Sequence, residues 1–271
     1  VSSQPPIKLL AIDLDGTTVQ HDNVISDRVL AAIRAARDAG VRVVIATGRN
    51  IPGVRHFAER MGLSGPMLAQ QGGMIYDTTD DRILRHLRLP NAIACELVAF
   101  ERERPHWRTV VYDNSLLFVT NHDYFSKRVG LVGWAPTTVP DLCAHLDGRD
   151  PDKILFMLDE HETPAVLAFV TEFIGDRATV VQSHAQFVEV NPLGADKGAG
   201  LAWLCAHVGV AREEVMAIGD QHNDSTMLGW AGFSVAMGNA RLEIQALADW
   251  VAPTVQDDGA AVAIERWVLG Q

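Results

Sequence analysis

What most constrains this chain is a repeated grammar, in which a short apolar run ends in a polar cluster and is followed by an amphipathic helix. Residues 7–12 (IKLLAI) form one such run and end at Asp13. A nearly continuous run of this length predicts a strand covered on both faces, with its first polar residue emerging at the carboxyl end. Ser26 then predicts a helix N-cap, with Val29, Leu30, Ile33 and Ala36 on one face and Gly40 as the stop. A second run, 41–46 (VRVVIA), precedes Thr47-Gly48-Arg49. Residues 52–61 predict a helix and 66–69 a third short strand. Strand, helix, strand, helix, strand is the order that right-handed crossovers produce in a parallel sheet.

The same grammar returns late in the chain. Residues 196–207 predict a helix, 214–218 (EVMAI) a strand ending at Gly219-Asp220, 223–228 a helix and 232–235 a strand. The middle reads differently. Between about 87 and 186, helix candidates at 91–103 and 161–174 are mixed with strand-like segments at 107–112, 116–119 and 153–158. That mixture predicts an α+β insertion rather than more of the same sheet. Arg82, Arg85 and Arg88, interleaved with Ile83, Leu84 and Leu87, fit either a strand or a short helix at its boundary.

Four polar clusters fall just after predicted strands or at helix starts, where open parallel sheets bind their ligands. They are Asp13-Leu14-Asp15-Gly16-Thr17, Thr47-Gly48-Arg49, Asp196-Lys197-Gly198 and Gly219-Asp220-Gln221-His222-Asn223-Asp224. Acids gathered with a lysine and a hydroxyl at one sheet edge are costly without a counter-ion or ligand. The physical reading is Mg²⁺ with a phosphoryl group. A carboxylate attacking phosphorus meets charge repulsion, so a cation and fixed donors must first neutralise the phosphoryl oxygens. Each cluster alone has a plainer explanation: an acidic pair caps helices, Thr47-Gly48 makes a strand-to-helix turn, and Asp220 and Asp224 serve as an N-cap and a first-turn acid. Lys197 at a helix start runs against the helix dipole, which favours a phosphate role.

Together, DLDGTT (13–18), ATGR (46–49), DKG (196–198) and GDQHND (219–224) resemble the four ordered motifs of the haloacid dehalogenase superfamily, and more narrowly its Cof-type sugar-phosphatase branch. The resemblance implies an α/β fold: a doubly wound parallel, Rossmann-like sheet core of residues 1–86 and 187–271, with 87–186 inserted as an α+β cap that sets substrate specificity. It implies Mg²⁺-dependent hydrolysis of small phosphate monoesters, such as sugar phosphates, through an aspartyl-phosphate. Asp13 would be the nucleophile, and Asp15 the general acid that later deprotonates the attacking water. Leu14, Thr47, Gly48, Lys197 and Asn223 would bind the phosphoryl group. Asp13, Asp15 (through its carbonyl), Asp220 and Asp224 would surround the metal. Arg49 would reach the substrate or pair with an acid. One departure stands out: the branch has Asn-Gly after its third strand, where this chain has Gln70-Gln71-Gly72-Gly73. Two further outcomes stay open, transfer between sugars by a mutase and a non-enzymatic phospho-acceptor of the receiver type.

Composition excludes other classes. A formal charge of −11 repels a phosphate backbone and argues against nucleic acid as a partner. No apolar stretch approaches the roughly 18 to 20 residues of a membrane-spanning helix. The ten histidines show no metal-ligand spacing, and His222 reads as a solvent-facing turn residue. Cys95, Cys143 and Cys205 are odd in number and far apart, so they read as unpaired apolar side chains in a reducing cytoplasm. The opening VSSQPPIK shows no export signal.

Overall fold

In the computed structural model, which describes residues 6–20, 23–121 and 135–271, the two ends of the chain build one parallel sheet. Most of the opening stretch read for an export signal lies outside the described residues. In chain order the first elements are β1 (Leu9–Ile12), α1 (Asp27–Asp38), β2 (Arg42–Ile45), α2 (Ile51–Met61), β3 (Pro66–Ala69), β4 (Met74–Asp77) and β5 (Arg82–His86). The middle contributes α3 (Asn91–Glu103), β6 (Arg108–Asp113), β7 (Leu116–Val119), β8 (Thr137–Thr138), α4 (Leu142–Leu146), β9 (Lys153–Met157), α5 (Thr163–Ile174), β10 (Thr179–His184) and β11 (Phe187–Asn191). The last part holds α6 (Lys197–Val208), β12 (Val215–Gly219), α7 (Ser225–Trp230), β13 (Phe233–Ala236), α8 (Leu242–Gln245), β14 (Trp250–Val251) and α9 (Gly259–Trp267).

The parallel sheet runs β14-β13-β12-β1-β2, with Leu9 opposite both Val215 and Arg42. Its interior strand β1 is buried along its whole length, which is why LLAI carries no alternation. Helix α1 starts where the sequence expects it: the Ser26 side chain accepts the Val29 N–H, and Val29, Ala32, Ile33 and Ala36 face the core. In α2 the Asn50 side chain accepts the Gly53 N–H, and Gly62 ends the helix at φ 65°. Register places Ile12, Ile45 and Gly219 at one edge, so the residues that follow them emerge together.

β3 lies beside β2 through the Ala46–Leu68 bridge but continues as an antiparallel sheet, β3-β4-β5. Residues 82–86 are therefore strand. β4 is not marked in the sequence, where only three apolar residues, Met74 to Tyr76, stand between Gly73 and Asp77.

The remaining sheet runs β10-β11-β9-β6-β7-β8 and is antiparallel except for the β7–β8 pair. α3, α4 and α5 cover one face, where Leu97, Leu142, Val170, Phe156 and Val190 belong to one core. Phe187–Asn191 pairs here with β9 and β10. The return to the parallel sheet thus falls after Asn191, not near residue 187 as the sequence suggests.

The cysteine reading also needs correction. Cys95 of α3 and Cys143 of α4 form a disulfide across a Cα separation of 5.2 Å. A sequence separation of 48 residues conceals the pair, because packing of α3 on α4 brings the two together. Cys205 is free and buried, and burial pushes its thiol up to about 12.

Candidate active site

The site begins where β1 stops. Asp13 is buried at 4% exposure, its N–H donating to the Ile218 carbonyl at 3.0 Å. The chain then turns sharply: the Leu14 carbonyl accepts the N–H groups of Thr17, Thr18 and Val19 at 3.2, 3.0 and 2.8 Å. Leu14 itself is fully buried, and its side chain joins the core of the parallel sheet. Gly16 sits at φ +83°, and a Cβ there would lie 2.4 Å from Asp220 Oδ2. The turn therefore needs glycine for its backbone angle and for the close approach of β12's loop.

Two loops converge on Asp13. From the β12 end, Asp220 accepts the Thr17 hydroxyl at 3.0 Å and the Asn239 amide at 3.3 Å. Asp224 Oδ2 accepts the N–H groups of Asp220 and Gln221, each at 2.9 Å, and holds that loop shut. From the start of α6, where Asp196 accepts the Ala199 N–H, Lys197 Nζ donates to Asp13 Oδ1 and Asp224 Oδ1 at 2.6 Å each. Lys197 and Asp224 lie beneath Asp13 and are fully buried.

The electrostatics follow from this crowding. Burial, assisted by Asp224, Asp220 and Asp15 and opposed by Lys197, holds the Asp13 carboxyl well above the usual carboxylate range. Burial and then Asp224 push Asp220 up to about 7. Burial disfavours the Lys197 cation, but Asp13 and Asp224 outweigh it and raise its pKa. One lysine faces three buried acids, and carboxylate oxygens of Asp13, Asp220 and Asp224 all lie within 4.8 Å of one another. Such a set of hard oxygen donors is suited to a small divalent cation.

Asp15 is half exposed and held by Arg49, whose Nε and NH2 donate to its two oxygens at 2.8 and 2.5 Å. Arg49 therefore pairs with an acid on the wall of the site, and its NH2 also donates to Asn23 Oδ1 at 2.9 Å. The Thr47 hydroxyl, 1% exposed with its residue, accepts the Arg49 N–H at 3.2 Å. Asp13, Asp15, Thr47, Gly48, Asp220 and Asn223 line a cavity of about 470 Å³. His222 lies outside this group, paired with Glu243 at 2.7 Å.

Several wall residues escape the sequence. Asn239 donates to the Gly16 carbonyl at 2.9 Å and accepts the Val255 N–H at 2.8 Å, tying three loops together. Its position just past the carboxyl end of β13 is the available signal. Gln71, part of the departure marked in the sequence, accepts the Asn223 amide at 3.0 Å and reaches over Gly48, where a Cβ would meet its Nε2 at 2.4 Å. Tyr112, Lys153, Leu155, Phe187 and Glu189 form the opposite wall, on the antiparallel sheet.

A parallel sheet with acids, a lysine and a threonine at its carboxyl edge is the arrangement of a phosphoryl-handling hydrolase. The chain belongs to the haloacid dehalogenase-like hydrolase family, whose profile matches residues 10–264, and the Cof-type placement that its motifs suggested holds with it. Over 268 residues it is 33% identical to 5-amino-6-(5-phospho-D-ribitylamino)uracil phosphatase YcsE of Bacillus subtilis (strain 168), covering 97% of this chain and 96% of that one. It is 28% identical to HMP-PP phosphatase of Klebsiella pneumoniae (strain 342) over 242 residues, 88% and 87% of the two chains. The crystal structure of a haloacid dehalogenase-like hydrolase from Bacteroides thetaiotaomicron superposes with a TM-score of 0.84 at 30% identity, covering 96% of this chain and 99% of that one.

Proposed function

We propose that this enzyme is a Mg²⁺-dependent phosphatase that hydrolyses small phosphate monoesters, sugar phosphates or related metabolites, through an aspartyl-phosphate on Asp13. The observation that carries the reading is the buried contact of Lys197 with Asp13 at the foot of a cavity walled by Asp220, Thr47 and Asp15. The two relatives, each named as a phosphatase of a phosphorylated metabolite, support it.

The donor set fits a Mg²⁺ ion. Asp13 and Asp220 would hold it, with the Asp15 carbonyl completing the protein ligands. Asp224, already engaged by Lys197 and two N–H groups, would brace the loop instead. When bound, the ion neutralises phosphoryl oxygens. Lys197 opposes protonation of Asp13 and holds one of its oxygens, leaving the other to attack phosphorus. The P–O ester bond breaks, and the departing oxygen takes a proton from Asp15. In the second half, Asp15 removes a proton from water, whose oxygen attacks phosphorus. The Asp13–phosphorus bond breaks and phosphate leaves. Arg49 grips both Asp15 oxygens, so proton transfer from Asp15 to the leaving group needs that side chain to turn off the guanidinium. Thr47 Oγ1, Asn223 and the main chain of Leu14 and Gly48 supply donors to the phosphoryl group.

The antiparallel sheet with α3, α4 and α5 is read as the specificity cap, closing over the cavity and excluding water. Among the described residues no helix is long and apolar enough to cross a membrane. A cytoplasmic setting predicts that Cys95 and Cys143 are thiols in the cell, because a reducing cytosol would open that pair. The central test is phosphate release from a panel of phosphorylated sugars, nucleotides and cofactors. Chelation should stop it, and Mg²⁺ but not the larger Ca²⁺ should restore it. Release that is indifferent to chelation would remove the metal, and no release from any ester would remove the phosphatase.

A further inference from the structure

Between the antiparallel sheet and the loops of the parallel one runs a line of buried polar groups that the proposed chemistry does not use. Lys153 of β9 and Glu189 of β11 form an ion pair at 2.6 Å, their side chains 2% and 5% exposed. Their neighbours across the strands are Tyr112 and Leu155, on a face that is otherwise apolar. Desolvation offsets most of what such a pair gains, so stability is a poor account of it. Both charges are spent on the protein's own groups. Lys153 Nζ also donates to the Gly48 carbonyl at 3.1 Å, while Glu189 accepts the Ser183 hydroxyl and, at 3.4 Å on each oxygen, Gln71 Nε2.

Gln71 is where the loops join. Its N–H donates to the Thr47 carbonyl at 3.0 Å, its Oε1 accepts Asn223 Nδ2 at 3.0 Å, and the residue is 1% exposed. It is held at φ 58°, next to Gln70 at φ 49°, in the left-handed region that residues with a Cβ seldom enter. Two consecutive glutamines stay there only because the contacts of the turn hold them.

One end of this line fixes the direction of its hydrogen bonds. The Glu189 carboxylate can only accept, so Gln71 must turn its NH2 group to it and its carbonyl oxygen to Asn223. Asn223 must then offer NH2 rather than oxygen. Among the described residues nothing donates to the buried Asn223 Oδ1, so Gln71 alone sets the sense of that amide. The second N–H of Asn223 Nδ2 stays available, and Asn223 lines the cavity with Asp13 and Thr47. Phosphoryl oxygens accept hydrogen bonds, so an amide turned the other way would meet them with the wrong atom.

We propose that Glu189, held by Lys153, is a positioning residue that acts through Gln71 to keep the Asn223 amide donor turned toward the phosphoryl group. This rests on the phosphatase reading above and deepens it. The buried ion pair thereby gains a function: Lys153 fixes the carboxylate and ties it to Gly48, and the carboxylate imposes its acceptor-only chemistry on two amides in succession. Leu155 and Phe187 of the same wall are left to meet the leaving group.

The test is a double-mutant cycle read by competitive inhibition with inorganic phosphate, which carries no leaving group. Glu189→Gln removes the acceptor-only end at nearly constant shape and should weaken that inhibition about 10-fold. It should lower kcat/KM by the same factor on phenyl phosphate and on alkyl phosphates. Asn223→Ala should cost as much or more, and Glu189→Gln added to it should cost nothing further. Gln71→Met cuts the line without leaving a charge unpaired, and it should repeat these results if Glu189→Gln does not fold. A full further loss on the Asn223→Ala background would show that the pair does not act through Asn223. Losses that differ between esters would assign it to the leaving group and overturn the positioning role. In both cases phosphate release by the wild-type enzyme leaves the phosphatase standing, whereas no release from any ester would remove that reading and the positioning role with it.

Discussion

The two walls of the cavity are built on opposite principles. On the parallel sheet, the cavity's polar groups sit at the carboxyl end of a strand or the start of the next helix, in short clusters along the chain: Asp13 with Asp15 and Thr17, Thr47 with Arg49, Asp220 with Asp224. On the antiparallel sheet, the cavity residues are spread over several strands, mostly as alternate positions: Tyr112 from β6, Lys153 and Leu155 from β9, Phe187 and Glu189 from β11. Parallel topology collects polar side chains at one edge, because all its strands leave the core on the same side. Antiparallel pairing exposes every second residue of each strand to a face, so a site can be distributed across it without a motif. The first wall suits chemistry common to all esters, and the second suits discrimination among them.

Substitutions can break or sharpen that contrast. Asp13→Asn should lower turnover of every ester by roughly 10⁴-fold or more, as loss of a nucleophile does, measured by phosphate release. A loss confined to some substrates would place Asp13 on the discriminating side. Asp15→Asn should cost about 10² to 10⁴-fold, with the larger losses on esters whose leaving oxygen most needs a proton. Equal losses on phenyl and alkyl phosphates would contradict the acid role.

Removing the disulfide by Cys95→Ser or Cys143→Ser should cost about 2–4 kcal/mol in unfolding of the antiparallel part, read by denaturant titration. Thiol titration of the denatured, unreduced chain should find one sulfhydryl, from Cys205, rising to three after reduction. Three without reduction would mean that the pair is open in the purified protein.

The smallest effect is expected at the junction of the two sheets. Burial works to raise the Asp152 carboxyl, but the His86 ring, the Ser115 N–H and the Gln70 amide prevail and hold it below the usual carboxylate range. Its stabilising contribution is therefore complete above the unfolded value of about 4 and is lost as pH falls through the lower folded value. Asp152→Asn should cost about 1–3 kcal/mol at neutral pH and flatten the acid limb of the stability curve. An unchanged acid limb would detach this carboxylate from the coupling of the two sheets.

Most of the parallel half and its chemistry is legible in the order of residues, because local rules suffice there. Continuous apolar runs mark the buried strands, Ser26 marks a helix start, and the four motifs lie at the ends where topology must bring them together. Arg49 stays ambiguous in sequence because its partner, Asp15, lies 34 residues away past the end of the neighbouring strand β1, a proximity that no spacing encodes. The antiparallel half resists. β4 offers only three apolar residues, β11 follows a boundary that composition does not mark, and the Cys95–Cys143 bond joins residues whose only relation is packing.

The amino-acid order by itself determined the crossover sheet, the acids and lysine at its edge, and hence the kind of bond the enzyme breaks. Only the tertiary structure decided which apolar strands turn a lone Lys153 and a lone Glu189 toward the same cavity, and which cysteines meet. The physical reason is range. Strand and helix periods, caps and strand-end positions are set by neighbours a few residues apart, whereas register between distant strands is set by the packing of the whole sheet, and a shift of one residue would turn those charges to its other face.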